Sequence, residues 1–411
     1  MKHIYCCLTY LIVKSRNKGE HKTMKRLIQI GFDTLLLSII PIIIWNVVGI
    51  IFEKDLANVF TLTYPIQFVF LALYDLFGSG ANITAEKRKD KNIVYTNMIV
   101  GLFVGLAVVV TLILNCEKYL TFMNADYNTL KTFSIYAIVN MFYSFVLRLV
   151  LENLYYEKKN NRSNIISTAF NLANLLLFVI LSLITKNQVI ITTAVLTILG
   201  ISLLIIFIKH IKSFKFNLKI KENILHSSSN IITNIAMFII YFVGQYNEFS
   251  FGTQYIIVSN FTSLTTDAQW DMISSIITAT HIDASKNEFN MKESLKNAYK
   301  YTAMLLISSV VMAIGLYTLY KPDLMILLIT FGVQVIHMLI CPICEIRLNY
   351  IQTKPEEIKT NLQLNVIIEK TLRILCSFMR NPYCTYIGQL FEATYLYIYT
   401  KLVSRKVKEI Q

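Results

Sequence analysis

The chain has 411 residues, of which 55% are hydrophobic and 16% are charged, and its mean hydropathy is +0.53. So apolar a composition is typical of a membrane protein with many spans and excludes an ordinary soluble domain. The formal net charge of +14 does not indicate nucleic-acid binding, because the basic residues collect in alternate segments between apolar stretches, as membrane topology requires.

At about 20 apolar residues per span, the sequence predicts twelve transmembrane helices. Their ranges are 27–52, 57–81, 93–114, 130–151, 164–184, 189–208, 223–246, 252–282, 298–319, 324–346, 362–378 and 384–402. With the N-terminus in the cytoplasm, 31 of the 39 Lys and Arg residues fall in or beside cytoplasmic segments, and six fall in or beside external loops. We therefore expect a multi-pass protein of the cell membrane with both termini in the cytoplasm.

These spans predict an all-α polytopic membrane protein with two pseudo-symmetric six-helix lobes. The predicted segments are a cytoplasmic N-terminal segment (1–25), an N-lobe (26–211, helices 1 to 6), a cytoplasmic linker (212–221), a C-lobe (222–406, helices 7 to 12) and a C-terminal tail (407–411). The first segment is either an interfacial anchor or an extension before a true start at Met24. We expect the protein to act as a monomer.

An internal repeat supports the division into two lobes. Shifting the sequence by 196 residues places Tyr74 and Asp75 on Trp270 and Asp271, and the same shift lays residues 27–49 over 223–245 without a gap. The next helix matches at a shift of 206 residues, because the loop before it differs in length. Three successive helices in register indicate a duplicated architecture, which many secondary transporters have.

The eighth predicted helix carries two acids one turn apart. Asp267 and Asp271 have i, i+4 spacing, so they share a helix face. A carboxylate at membrane depth is costly and by default marks an ion path, a substrate site or a buried pair. Two ionised acids would repel each other, so the pair should bind a proton, Na⁺ or a cationic group of a substrate. The alternative is that Asp271, or its counterpart Asp75, only braces helix contacts.

Polar residues also occur in the last three predicted helices. His337 stands alone in an apolar run of the tenth, where a hydrogen-bonded packing residue is the simpler interpretation. Glu369 and Arg373 in the eleventh have i, i+4 spacing, which predicts a local ion pair. Glu392 in the twelfth has no assigned role.

The seven cysteines do not form the pattern of a disulfide framework. Cys341 and Cys344 have the spacing of redox and zinc motifs, but no second such pair and no paired His accompanies them. We expect small apolar packing residues here, no metal site, and no cofactor other than Na⁺ or H⁺ as a coupling ion.

Two stretches carry a resemblance to a known family. They are residues 73–82, with small residues at the end of the second helix before a basic linker, and residues 263–280 with 293–299 in the second half. With twelve spans in a six-plus-six repeat, the chain resembles the multidrug and toxic compound extrusion (MATE) family, within the superfamily that also holds lipid-linked oligosaccharide flippases. The resemblance covers about 26–406. It implies two lobes around a central cavity that opens alternately to each side, and export driven by Na⁺ or H⁺.

The sequence departs from that family at two places. Where many members have an acid in the first helix, after an Asn-containing run that matches Asn46, this chain has Gly49. The equivalent position of the repeat is Gln245, near the outer end of the seventh helix and before Glu248. An acid of the tenth helix has no clear match beyond His337 and Glu345.

The leading functional hypothesis is a secondary active exporter, and not an enzyme, that couples Na⁺ or H⁺ to antiport of amphiphilic or cationic small molecules. The predicted cation-coupling or substrate-binding residues are Asp267, Asp271, Asp75, Asn46, Gln245 and Trp270. The partners expected are a small-molecule or lipid substrate and membrane lipids, without nucleic acid. The alternatives are a flippase for a lipid-linked saccharide or other lipid, a membrane-embedded acyltransferase using His337, and a non-transporting sensor.

Overall fold

The computed structural model describes residues 39–157, 159–211, 214–266, 291–352 and 356–410. In these ranges the chain is helical and contains no strand. The principal helices are α1 (Ile39–Ile51), α2 (Lys54–Arg88), α3 (Asn92–Leu114), α4 (Tyr127–Tyr156), α5 (Asn160–Ile184), α6 (Gln188–His210), α7 (Ile220–Phe249), α8 (253–266), α9 (Met291–Tyr320), α10 (Leu324–Gln352), α11 (Glu356–Ser377) and α12 (Cys384–Ile410). A short helix, Cys116–Phe122, links α3 to α4.

The predicted all-α class is confirmed, and each predicted span coincides with a helix in its described part, apart from single residues at or near the ends. Seven described helices are long and apolar enough to cross a bilayer, and α7 makes an eighth if its two bent parts form one span. Many helices are longer than predicted, because hydrogen bonding along the backbone continues past the apolar stretch that hydropathy detects. Helix α4, predicted over 130–151, runs to Tyr156.

The first half of the chain, α1 to α6, packs around α4. Helix α4 contacts α2, α3 and α6, and its side chains Phe133, Tyr136 and Phe145 are almost fully buried. Trp45 of α1 lies with its ring edge-on to Phe133 and Tyr136, at centroid distances of 6.1 and 6.3 Å. Edge-to-face aromatic pairs of this kind add to the burial of apolar surface, so α1 and α4 are held as one unit.

Helix α7 joins the two halves because it packs along the whole length of α2. Arg88 at the end of α2 pairs with Glu222 at 2.9 Å, and further along Phe68 stacks on Tyr241 at a centroid distance of 5.4 Å. Helix α7 bends by 71° between Ile220–Ser228 and Asn230–Phe249. Ser227 lies at the bend, and its hydroxyl donates to the Asn223 carbonyl, a bond that favours bending of a helix.

Within the second half, α10, α11 and α12 pack against one another, and α11 also contacts α7. Helices α11 and α12 carry Glu369, Lys370, Arg373 and Glu392, all of them buried. Among the described helices, α11 and α12 are not apolar enough to be counted as membrane spans, because these charges lower their mean hydropathy. Their charged side chains face protein, which is how intramembrane charges are tolerated.

Candidate functional site

Three of the six predicted site residues lie in the described part of the chain. Asp75, Asn46 and Gln245 lie in three separate places, whereas Asp267, Trp270 and Asp271 fall outside the described residues. The role of the acid pair in the eighth helix therefore stays a prediction.

Asp75 lies at the contact between the halves. It begins a five-residue π-helical segment, Asp75–Ser79, within α2, and only 6% of its surface is exposed. Asn234 of α7 donates to its carboxylate at 2.6 Å, and Ser79 donates at 3.3 Å. π-helical turns occur often at functional sites, so this segment makes the contact between α2 and α7 a candidate site. Any separation of α7 from α2 would remove the hydrogen bond that Asn234 donates to Asp75.

Asn46 joins α1 to α9. Its side-chain nitrogen donates to the Ile42 carbonyl at 2.9 Å, and its oxygen accepts from the Tyr320 hydroxyl at 3.2 Å. The same hydroxyl lies 3.1 Å from where a Cβ on Gly49 would be. The amide thus serves a helix contact between the halves, and a larger residue than glycine would crowd that contact.

Gln245 lines a small polar cavity between α7, α8, α10 and α12. The cavity has a volume of about 20 Å³, enough for one water molecule. Its walls are formed by Tyr241, Gln245, Glu248, Ser259, Thr262, Ser263, Gln334, Thr385, Tyr386 and Gln389. Among the described residues, the side-chain oxygens of Gln245 and Gln389 are buried and find no hydrogen-bond donor. Two such oxygens beside a carboxylate suit a water molecule or a cation.

Glu248 supplies the charge of this cavity. It had no predicted role and was expected only near the outer end of the seventh helix. In the structure α7 continues to Phe249, and Glu248 is 2% exposed. Its carboxylate accepts from the Thr385 backbone N–H at 3.1 Å and from the Thr385 hydroxyl. The acid is one turn beyond Gln245, and that spacing was the signal by which the sequence could have selected it.

A cluster of buried charges lies between α10, α11 and α12. Glu392 accepts from Lys370 at 2.5 Å, from Arg373, and contacts Nε2 of His337 at 3.3 Å. Lys370 also pairs with Glu369 at 2.6 Å. The predicted Glu369–Arg373 pair is not among the ion pairs of the described residues, because Arg373 turns to Glu392 of α12. His337 is buried and contacts Glu392, which agrees with the expected hydrogen-bonded packing residue.

The first half holds a second group of polar residues, none of which was predicted as a site residue. Glu152 of α4 accepts from the Tyr74 hydroxyl and from Asn82 at 2.8 Å. The Arg148 guanidinium lies 5.8 Å from the centre of the Tyr74 ring, and within the described part of the chain it has no hydrogen bond or ion pair. Arg148 falls inside the predicted fourth helix. Because a cation within a membrane span by default marks function, this position could have identified Arg148 from the sequence.

The described residues contain no group of three or more His, Cys, Asp or Glu side chains placed to hold a metal ion. Cys341 and Cys344 are buried free thiols that pack with Ala393 and Leu396.

Comparison with known proteins gives matches among solved structures only. No protein-family model and no curated protein sequence matches the chain. A multidrug resistance MATE family transporter of the MOP superfamily matches in an inward-facing conformation, with 14% identity, a TM-score of 0.65, and coverage of 93% of this chain and 95% of that chain. An outward-facing structure of such a transporter matches with 14% identity, a TM-score of 0.64, and coverage of 94% and 96%. The MATE multidrug transporter DinF-BH matches with 10% identity, a TM-score of 0.70, and coverage of 93% and 95%.

Proposed function

Since the chain has the fold of the MATE transporters of the MOP superfamily, as the resemblance in its sequence implied, we propose that it is a secondary active exporter of amphiphilic or cationic small molecules. The observation that carries this proposal is the match over 93–94% of the chain to transporters solved in both inward-facing and outward-facing conformations. A fold found in both arrangements suits alternating access between two lobes.

The proposed coupling ion is Na⁺ or H⁺, and its candidate ligands are buried carboxylates. Glu248 lies in the cavity with Gln245. Gln245 occupies the repeat position where an acid was expected, and Glu248 provides an acid one turn further along α7. Asp75 lies where α2 meets α7. Asp267 and Asp271 are further candidates, which the sequence alone supports. Binding of a cation at any of these acids would favour one arrangement of the lobes only if its affinity differs between the two.

The test is transport of ethidium by the full-length protein in liposomes, with a Na⁺ gradient and a pH gradient imposed separately. Wild type should export ethidium under one gradient, and Glu248→Gln, Asp267→Asn and Asp271→Asn should show which carboxylate is required. Glu117→Gln, at an exposed acid of the short helix, is the matched control. Wild type that moves no ethidium under either gradient would contradict the proposal.

A flippase for an anionic lipid is the second candidate, and Arg148 is the observation that favours it. Lys370 and Arg373 are both paired with carboxylates inside the second half, whereas the half-buried Arg148 keeps its donors available. Flipping of a fluorescent anionic lipid in liposomes, lost in Arg148→Gln, would favour this function. Flipping that is absent in wild type would reject it.

The fold and the apolar helices make this a multi-pass membrane protein, and we place it in the cell membrane with both termini in the cytoplasm. The structural neighbours are transporters, and His337, the base that an acyltransferase would need, contacts Glu392 inside the charge cluster. We therefore do not assign an enzymatic activity.

A further inference from the structure

Polar side chains follow one another along α10, α11 and α12 at helical spacing. Gln334 of the cavity is three residues from His337, and Gln389 of the cavity is three residues from Glu392. Residues three or four apart lie on one helix face, so the cavity and the charge cluster occupy successive turns. We call this series, from Glu248 through Gln389, His337, Glu392 and Glu369 to Asn365, the polar column.

The far end of the polar column continues beyond the charges. Asn365 is four residues from Glu369 on α11, and its side-chain oxygen accepts from the Tyr395 hydroxyl of α12. Tyr395 is three residues from Glu392. The interior of the second half is therefore polar over several turns, although buried polar groups are costly and an apolar interior would suffice for packing.

The contacts within the column are close enough for proton transfer. Nε2 of His337 is 3.3 Å from Glu392, and Lys370 lies 2.5 Å from Glu392 and 2.6 Å from Glu369. Lys370 therefore lies between the carboxylates of Glu369 and Glu392 and contacts both.

We propose that the polar column carries the coupling proton of this exporter, and that His337 passes it between the cavity and the Glu392–Glu369 pair. The proton enters through water in the cavity and binds one ring nitrogen of His337. The imidazolium then releases the proton on Nε2 to the Glu392 carboxylate. Lys370, which contacts both carboxylates, gives one of its protons to Glu369 and takes the proton from Glu392, so its charge is restored. One proton enters and one leaves, so His337 returns to its neutral form.

The charges that face His337 permit this exchange. Lys370 and Arg373 approach from α11, Glu345 and the Cys341 thiol lie on α10, and the Tyr241 ring of α7 lies against Arg373 at 5.8 Å. The two cations balance the carboxylates of Glu392 and Glu369. A proton that moves from Glu392 to Glu369 therefore stays within one cluster and leaves its net charge unchanged.

The first test needs no substrate. Infrared difference spectra of the purified full-length protein, recorded between a low and a high pH, report protonated carboxyl groups directly. We expect a carboxyl band that changes with pH in wild type, disappears in Glu369→Gln, and shifts its midpoint in His337→Gln. His210→Gln should leave the band unchanged, because His210 is a buried histidine of α6 whose Nδ1 contacts only its own helix, at the Ile206 carbonyl. A spectrum in which no band depends on Glu369 or His337 would overturn the proposal.

The second test separates this proposal, which rests on the proposed function, from that function. In liposomes, His337→Gln should lower ethidium transport driven by a pH gradient by about a hundredfold, as expected for loss of a proton-transfer group. Exchange of ethidium without any gradient should remain as in wild type. Normal gradient-driven transport by His337→Gln would overturn the relay. If wild type exchanged no ethidium while the infrared band behaved as expected, the exporter assignment would fall and the proton site would stand.

Discussion

Glu392 is the residue on which the buried charges of α10, α11 and α12 converge. Its carboxylate faces Lys370, Arg373 and His337, so Glu392→Ala would leave two buried cations short of an acceptor. Removing one partner of a buried ion pair costs about 3–5 kcal/mol, and we expect a loss of this size in thermal unfolding of the detergent-solubilised protein. Glu117→Ala, at an exposed acid, should have little effect. A Glu392→Ala protein as stable as wild type would show that the cluster contributes nothing to folding.

The candidate residues differ in how far the sequence could predict them. Asp75 was selected because the internal repeat aligns it with Asp271. Arg148 escaped because it lies near the end of its predicted helix and was counted with the cytoplasmic charges. The partner of Arg373 could not be predicted, since spacing along α11 identifies neighbours on that helix only, and Glu392 belongs to α12.

Helices α2 and α7 approach each other closely at Gly80. A Cβ there would lie 2.6 Å from the Ser227 hydroxyl and 2.8 Å from the Asn223 carbonyl oxygen, so Gly80→Ala must push the helices apart. Overpacking of this kind costs about 1–3 kcal/mol, which thermal unfolding should register. Gly315→Ala in α9 is the control, because its Cβ would meet nothing within 4 Å. Equal stability of the two variants would contradict this packing.

The ends of α3 and α4 are joined by Glu157, which lies just past α4. Burial favours its neutral form, but the hydrogen bonds from Lys159 and Lys91 outweigh burial and lower the pKa of Glu157 from 4.5 to about 2. A lowered pKa in the folded state adds stability above the unfolded pKa and loses it as the pH falls. The melting-temperature advantage of wild type over Glu157→Gln should therefore narrow from about pH 7 to about pH 3. An advantage that stays constant over this range would refute the coupling.

Helix positions were predictable because each span is a long apolar run, whereas helix ends were not. Hydropathy identifies the part of a helix that suits lipid, and a polar turn can continue the same helix inside protein. Helix α7 shows the effect, since its last turn carries the buried Glu248 past the predicted end.

At the scale of the whole molecule, the two halves meet through aromatic rings as well as through Asp75. Phe122 of the first half stacks on Tyr246 of α7 with centroids 4.4 Å apart. In a cysteine-free background, Phe122→Cys with Tyr246→Cys and a short thiol crosslinker should stop ethidium transport, because alternating access needs the halves to move. A reducible crosslinker should allow recovery.

The matched control for that experiment joins Trp45→Cys and Phe133→Cys, which both lie in the first half. Crosslinking this pair should lower transport no further than the two substitutions do on their own. Full activity of the Phe122–Tyr246 crosslinked protein would show that these two positions do not separate during transport.

The packing of Trp45 gives the protein an optical reporter. The chain has two tryptophans, so Trp270→Phe would leave a single indole that is 4% exposed and surrounded by Phe133 and Tyr136. Its emission should be blue-shifted and protected from aqueous quenchers. A change in that emission when ligand or protons are added would come from movement of α1 against α4, so rearrangement inside one half could be followed separately from motion between the halves.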